Sequence, residues 1–252
     1  MATLVGYEVT QLTAKPSLSI ALPAYNEAEN IAPMLADVVR VAGSLSDDYE
    51  VVVVDDGSAD ATANEVLRFA SDHPQVRLVR HPRNQGYGAA VYSGLTNATR
   101  AWVFFTDSDR QFVLDELKLL LAQAGDADMV IGYRAPRRDP PLRLLYGWGW
   151  NSLVSILFGY TARDIDCAFK LMRRELVQKV APLVKSRGAT FSAEWLVLSR
   201  RLGYRIREVP VSHRPRVAGK PTGARLHVVW RAFRELARFR IRLWREGLPS
   251  RP

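Results

Sequence analysis

"YEVVVVDDGSADATANEVLRFASDH", from Tyr49 to His73, decides the fold. Val51 to Val54 form an unbroken β-branched run, which suits a strand covered on both faces. The run breaks into Asp55, Asp56, Gly57 and Ser58, residues that favour turns. The stretch after it carries helical spacing. Strand, turn and helix in this order make half of a βαβ unit. The same alternation continues outward. "LSIAL" (18–22) reads as a strand, and "ENIAPMLADVVRVAGSL" as a helix that tolerates Pro33 only near its start. "VRLVRH", "AWVFFTD" and "ADMVIGYR" read as further strands, with "GYGAAVYSGLTNAT" and "VLDELKLLLAQAG" as the helices between them. Such alternation predicts an α/β chain with a mixed, mostly parallel sheet flanked by helices.

Beyond Arg134 the pattern loosens. "LLYGWGWNSLVSILFGY" reads as a helix, "CAFKLMRR" as a strand, "TFSAEWLVLSRRLG" as a helix and "YRIREVPVSHRPR" as a strand. "ARLHVVWRAFRELARFRIRLWRE" closes the chain as a long helix. No repeat or linker divides it. We expect a catalytic domain over residues 1–222 and a basic amphipathic helix and tail over 223–252.

The chain has 252 residues, 48% of them hydrophobic, and a formal net charge of +9. That charge predicts an anionic partner. Arginines dominate from Arg134 onward, an asymmetry that suggests two tasks in one fold. One cysteine, Cys167, excludes an internal disulfide and suits a reducing compartment. The first twenty residues show no secretory h-region. No stretch reaches the ~18 apolar residues of a spanning helix. Nucleic acid is disfavoured as the partner, because there is no zinc spacing and no RNP-like signature.

In a parallel α/β sheet, ligands bind outside the strands' carboxyl ends. The polar residues gather there. Pro23, Tyr25, Asn26 and Glu27 follow the first strand, and Asp55 to Ser58 the second. Asp107 and Asp109 follow the fourth, Gly132 and Arg134 the fifth. Ser58 and Asp60 also suit helix N-caps. Asp107 and Asp109, two residues apart, point the same way if the strand geometry persists. Like charges held together repel and raise each other's pKa. A divalent cation between them and a phosphate removes that cost, since Mg²⁺ is commonly held by one or two carboxylates plus substrate phosphates. There is no P-loop, and "NQGYGAA" only faintly echoes a dinucleotide fingerprint. A nucleoside diphosphate bearing a leaving group fits this arrangement.

"PAYNE", "VVDDGSADAT", "TDSDRQF", "VIGYR", "DIDCAFKLMRRE", "FSAEWL" and "EVPVSHRPRVAGK" together resemble the family 2 glycosyltransferases of GT-A (Rossmann-like) fold. The likeness runs from about residue 18 to about residue 222. It is nearest to polyprenyl-phosphate sugar transferases of the dolichyl-phosphate mannosyltransferase kind. The resemblance implies roles. Pro23, Tyr25, Glu27 and Asp56 would cradle the donor nucleoside. Asp107 would contact ribose or sugar. Asp109 would bind Mg²⁺ or Mn²⁺, with Gln111 beside it. Arg134 and Lys170 would lie near the phosphates, and Asp164, or Asp166 close by, at the sugar. Arg216 and Lys220 would close over the pyrophosphate. Two features depart from the family pattern. "DSDRQ" stands where D-A-D-L-Q is common, and Arg110 adds a charge near the metal. In the closing loop Lys220 follows Gly219 directly, with Thr222 where a lysine is usual. The spanning helices that many members carry after the catalytic domain are not expected.

The implied activity is an inverting, metal-dependent transfer from a GDP- or UDP-linked sugar to a polyprenyl phosphate. Its place would be the cytoplasmic face of a membrane, with the enzyme peripheral. The alternative is a family 2 transferase with a soluble hydroxyl acceptor, for which Asp164 or Asp166 would serve as base. A membrane protein and a second copy are further partners this reading leaves open. His81, His213 and His227 fit no metal spacing and read as surface or satisfied core histidines. Trp148 and Trp150 are candidates for a membrane interface or the acceptor site. In the last helix, Leu226, Trp230, Phe233, Ala237, Ile241 and Trp244 share one stripe at ~100° per residue. Arg231, Arg234, Arg238, Arg242 and Arg245 share the next. That pattern suits an anionic membrane surface or, equally, packing on the domain with a solvated basic edge. Phe239 and Leu243 lie off the stripe, which favours two partners for this helix.

Overall fold

The structure, a computed structural model, describes residues 15–136, 141–215 and 226–247. Seven strands form one sheet: β1 (Leu18–Ala24), β2 (Tyr49–Asp55), β3 (Val76–Arg80), β4 (Trp102–Thr106), β5 (Met129–Arg134), β6 (Phe169–Arg173) and β7 (Ile206–Val211). The helices are α1 (Ala28–Leu45), α2 (Thr62–Asp72), α3 (Tyr87–Asn97), α4 (Leu117–Ala122), α5 (Pro141–Phe158), α6 (Arg174–Val180), α7 (Phe191–Arg201) and α8 (Leu226–Arg245). Strand order is β3-β2-β1-β4-β6-β5-β7. β6 runs antiparallel to both neighbours, and every other pairing is parallel.

The alternation read in the first half is all present. α6 was not foreseen, because seven helical residues after a strand carry too little periodicity to be seen. Nor was the antiparallel direction of β6, which depends on the path of the chain between β5 and β6. Pro33 sits in the second turn of α1, where its missing N–H leaves one ladder bond unmade.

The uninterrupted valines are buried on both sides, as their run implies. Val51 to Val54 are all fully buried. Val52 and Val54 pack with Ala90 of α3. Their neighbours along β2 turn to the opposite face, where α1 and α2 lie. Gly94 of α3 allows this approach, since a Cβ there would lie 3.0 Å from the Ala21 Cβ. Each such Val or Leu contributes about 1.5–3 kcal/mol on burial.

Successive strands step from β1 to β3 in one direction, and β4 then lies on the other side of β1. The reversal puts the topological switch point at the heads of β1 and β4, the position where α/β sheets bind ligands.

Candidate active site

The loops leaving β1 and β2 are laced together. Ser58 Oγ accepts from the Asn26 N–H at 2.9 Å, and Asn26 Oδ1 accepts from the Ala59 N–H at 2.9 Å. Thr62 Oγ1 accepts from the Glu27 N–H at 2.9 Å. Asp60 serves two helix starts, accepting from the Thr62 N–H at 3.0 Å and the Ala28 N–H at 3.2 Å. Burial works to raise its carboxyl, but the Thr62 hydroxyl, which also donates to it, and the two N–H bonds hold it below the ordinary range. Asp60 therefore does act at helix starts, whereas Ser58 laces the loops instead. Asn26 adopts the left-handed backbone region, φ 54°, to make the turn. This lacing fixes Tyr25, 42% exposed, at the rim. Glu27 accepts from the Asn30 side chain at 2.6 Å.

Asp56 is committed to the β3–α3 connection. It accepts from His81 Nδ1 at 2.7 Å and from the Gln85 and Gly86 N–H groups at 2.9 Å each. His81 Nε2 lies 2.9 Å from Ser93 Oγ, so His81 is a satisfied core histidine. Asp55 is fully buried and accepts from the Ser58 N–H at 3.0 Å. Arg80 Nε lies 3.2 Å from its other oxygen without hydrogen-bond alignment. A cleft of about 400 Å³ opens at the heads of β2 and β3, lined by Gly57, Ser58, Arg80, His81 and Pro82. Gly57 has to be glycine: its φ is 69°, and a Cβ would lie 2.4 Å from the Arg83 carbonyl carbon.

At the head of β4, Asp109 is buried and accepts from the Gln111 N–H at 3.2 Å. Asp107 accepts from the Tyr87 hydroxyl at 3.0 Å. Burial first, and the Asp109 charge second, push the Asp107 carboxyl up to about 7. The Tyr87 bond and the charges of Lys170 and Arg134 pull it part of the way back. Tyr87 is 42% exposed, and desolvation of its hydroxyl together with Asp107 raises the phenol well above its ordinary range, with Asp166 and Asp109 adding to the effect. These mutual influences place Tyr87, Asp107, Asp109, Asp166, Lys170 and Arg134 in one neighbourhood. Ser108, between the aspartates, donates to the Pro23 carbonyl at 2.9 Å and ties β4 to β1.

Arg134 and Asp164 form a buried two-pronged pair, Nε to Oδ2 at 2.7 Å and Nη2 to Oδ1 at 2.8 Å. Asp166 is exposed. Lys170 is buried opposite Phe105 of β4, donates to the Ile165 carbonyl at 3.1 Å and also to the Cys167 carbonyl. Burial lowers its pKa. It props the 164–167 segment from beneath. Gln111 latches the chain beyond β7: its Nε2 donates to the Arg214 carbonyl at 2.9 Å, and its own carbonyl accepts from the Arg214 N–H at 2.7 Å. Arg216 and Lys220 lie outside the described residues, as does the His227 side chain.

Two expectations change. Arg110 does not add charge at the carboxylates. A left-handed backbone, φ 61°, turns its guanidinium to Asp37 of α1 at 3.1 Å. Trp150 packs on the core with its Nε1 buried, whereas Trp148 is 69% exposed. Sequence reasoning missed Tyr87. Its signal was the "GYG" set aside as a faint echo. Gly86 has φ 99°, and a Cβ on Gly88 would lie 2.7 Å from Gly188 O and the Phe191 Cβ. The two glycines thus let α3 begin hard against the 187–191 segment with Tyr87 at the site.

The donor set at β4 is all oxygen, which suits Mg²⁺ or Mn²⁺. Among the described residues no three His, Cys, Asp or Glu side chains gather to hold a metal unaided. The remaining positions would fall to phosphate and water, as a substrate-bridged cation requires.

Known proteins with this arrangement can now be compared. A Trichomonas vaginalis dolichyl-phosphate beta-glucosyltransferase is 32% identical over 210 residues, covering 77% of this chain and 62% of that protein. The Saccharomyces cerevisiae dolichyl-phosphate beta-glucosyltransferase is 28% identical over 220 residues, covering 77% and 66%. The chain thus spans just under two thirds of these relatives' length. In fold, it matches glucosyl-3-phosphoglycerate synthase from Mycobacterium tuberculosis, solved with Mn²⁺, UDP and glucosyl-3-phosphoglycerate. The TM-score is 0.70 at 19% identity, covering 99% of this chain and 88% of that one. A Pyrobaculum calidifontis mannosyltransferase solved with GDP-mannose and Mn²⁺ matches with a TM-score of 0.62 at 23% identity, covering 90% and 65%. The mixed sheet is therefore the GT-A fold. The model of glycosyl transferase family 2 matches residues 19–181, spanning every strand end described above except that of β7. With the carboxylate pair and the laced loops of β1 and β2 inside that span, the chain belongs to glycosyl transferase family 2.

Proposed function

We propose that the chain transfers glucose, with inversion, from a nucleoside diphosphate glucose to a polyprenyl phosphate of dolichyl type. One observation carries the reading. Asp107 and Asp109 stand together at the switch point of the sheet, where burial first and the Asp109 charge second push Asp107 up to about 7. Such a pair is suited to a divalent cation bridging to a diphosphate. Glucose and the lipid phosphate come from the relatives named above.

Asp109 and Gln111 would hold Mg²⁺ or Mn²⁺. The cation, when bound, supplies charge to a departing diphosphate. Pro23, Tyr25, Glu27 and Asp56 form the nucleoside side, Asp56 by shaping the loop over the cleft at β2 and β3. Asp107 is oriented by Tyr87 toward ribose or sugar. Arg134 fixes Asp164, and Lys170 fixes the segment that carries Asp164 and Asp166. The family resemblance assigns Arg216 and Lys220 to the pyrophosphate. An oxygen of the acceptor phosphate bonds to the anomeric carbon from the face opposite the leaving diphosphate. The bond from that carbon to the diphosphate oxygen breaks, and its electrons leave on the nucleoside diphosphate. A phosphate monoester is already anionic, so no strong base is required. The protein's contribution is positioning and charge. A polyprenyl phosphate acceptor places the reaction at a membrane surface. We assign it to the cytoplasmic face, consistent with one buried thiol, Cys167.

The test is transfer by the purified protein from UDP-glucose, GDP-glucose and GDP-mannose to a short-chain prenyl phosphate, with the product's anomeric configuration read by NMR. The expected product is β-glucosyl prenyl phosphate. Exposed Asp166 supports a second reading, a base for a hydroxyl acceptor. Transfer to soluble hydroxyl acceptors alone, abolished in Asp166→Asn, would establish that second reading instead.

A further inference from the structure

Helix α8 divides its apolar residues between two sides. Ala232, Leu236, Phe239 and Leu243 are buried, and their spacing puts them on one helix face. Phe239 stacks on Phe158 of α5 with ring centres 5.0 Å apart. Glu235 accepts from Thr190 Oγ1, and Arg242 pairs with Glu194, so polar contacts fasten the same side. The other apolar side faces out: Phe233, Ile241 and Trp244 are 47%, 55% and 79% exposed. At ~100° per residue, this stripe is centred roughly 120° round the helix from the buried one. Helix α5, its neighbour, does the same. Val154 is buried, while Leu145, Trp148 and Ile156 are 58%, 69% and 81% exposed. Those three lie within about 80° of one another on the side opposite Val154.

A surface helix ordinarily turns charged and polar residues outward. Rows of exposed large apolar side chains on two touching helices mark an interaction site. The charges indicate its partner. Exposed Arg231, Arg234, Arg238 and Arg245 line one edge of the α8 stripe, and exposed Arg240 lines the other. Glu235 is turned inward to Thr190 and Ser186. A second copy offering the same face would bring arginine rows together, so the face does not complement itself. An anionic lipid surface complements both parts, headgroups taking the arginines and the acyl boundary the rings. No helix among the described residues is long and apolar enough to cross a membrane.

We propose that the outward faces of α5 and α8 form one docking surface for an anionic phospholipid leaflet. The proposal deepens the lipid-phosphate reading, on which its purpose rests, by giving the acceptor a surface from which to arrive. Its observations are separate from that reading.

The test is co-sedimentation with vesicles of phosphatidylcholine alone and of phosphatidylcholine with one quarter phosphatidylserine, at low and at physiological salt. Three double variants are compared with the parent: Ile241→Ser with Trp244→Ser, Arg234→Glu with Arg238→Glu, and Leu145→Ser with Ile156→Ser. Thermal melts confirm that each is folded. The parent should bind the anionic vesicles at least about tenfold better than neutral ones, more so at low salt. Each pair should lower binding about tenfold or more, with turnover on a short-chain soluble prenyl phosphate unchanged. Equal or absent binding of the parent overturns the proposal. So does undiminished binding of the Leu145/Ile156 variant, since α5 then takes no part. Loss of a parent dimer in that variant, with vesicle binding intact, assigns the face to a second copy and also overturns it. Vesicle binding without transfer to any prenyl phosphate retires the acceptor reading and leaves the docking surface. Transfer without vesicle binding does the reverse.

Discussion

Asp107 shows how a single carboxylate reports the use of a site. Its carboxyl is pushed from the ordinary 3.8 up to about 7 by burial and by Asp109. An aspartate with a raised folded pKa weakens the fold as pH rises through that window, and the loss is complete above about 7. Asp107→Asn should therefore raise the Tm of the EDTA-treated protein by about 2–6 °C at pH 8. The difference should vanish toward pH 4. Scanning calorimetry across that range checks both parts, and a variant melting at or below the parent at pH 8 contradicts the assignment. The pair was legible in "TDSD" through like-charge repulsion at close spacing, although β4 ends at Thr106, before both aspartates, so strand alternation does not set their directions. The partners were not. Asp56 bonding to the Gln85 and Gly86 N–H groups, Asp164 gripping Arg134 and Arg110 turning to Asp37 all depend on loop backbone that spacing does not specify.

Helix α8 was legible as a helix with apolar residues on two sides, and Phe239 and Leu243 already pointed to two partners. Which side would be buried was not legible, because both carry enough apolar surface. Contacts with Phe158, Thr190 and Glu194 decide it. Phe239→Ala should cost about 3–5 kcal/mol, the ordinary price of a large core deletion. The same change at exposed Phe233 should cost under about 0.5 kcal/mol. Urea denaturation of both variants measures the contrast, and equal losses would put the wrong face inside. Helix α3 offers a second check. A Cβ on Gly88 would lie 2.7 Å from Arg187 C, Gly188 O and Phe191 Cβ. Gly88→Ala should destabilise by about 1–3 kcal/mol and also impair turnover by shifting Tyr87 away from Asp107. Full activity in a folded Gly88→Ala protein would show that the start of α3 does not set the site.

Across the molecule, the two halves supply different parts of one structure. The first half supplies the parallel strands whose heads carry the laced loops and the carboxylate pair. The second supplies the antiparallel β6, which places Lys170 opposite Phe105, and the two helices with outward apolar faces. The parallel core was legible because buried valine runs and intervening helices leave few topologies open. The reversal at β6 was not, since it is set by the path between β5 and β6. The metal-dependent sugar transfer we propose for the β4 head rests on the pair formed by Asp107 and Asp109. The decisive measurement is turnover of UDP-glucose and a prenyl phosphate by the parent and by Asp109→Ala, each with Mn²⁺, with Mg²⁺ and with EDTA. The parent should lose about 100-fold or more of its rate in EDTA and regain it with either cation, and Asp109→Ala should stay at the EDTA level throughout. Turnover by Asp109→Ala within a few-fold of the parent, or a parent rate indifferent to EDTA, would contradict it.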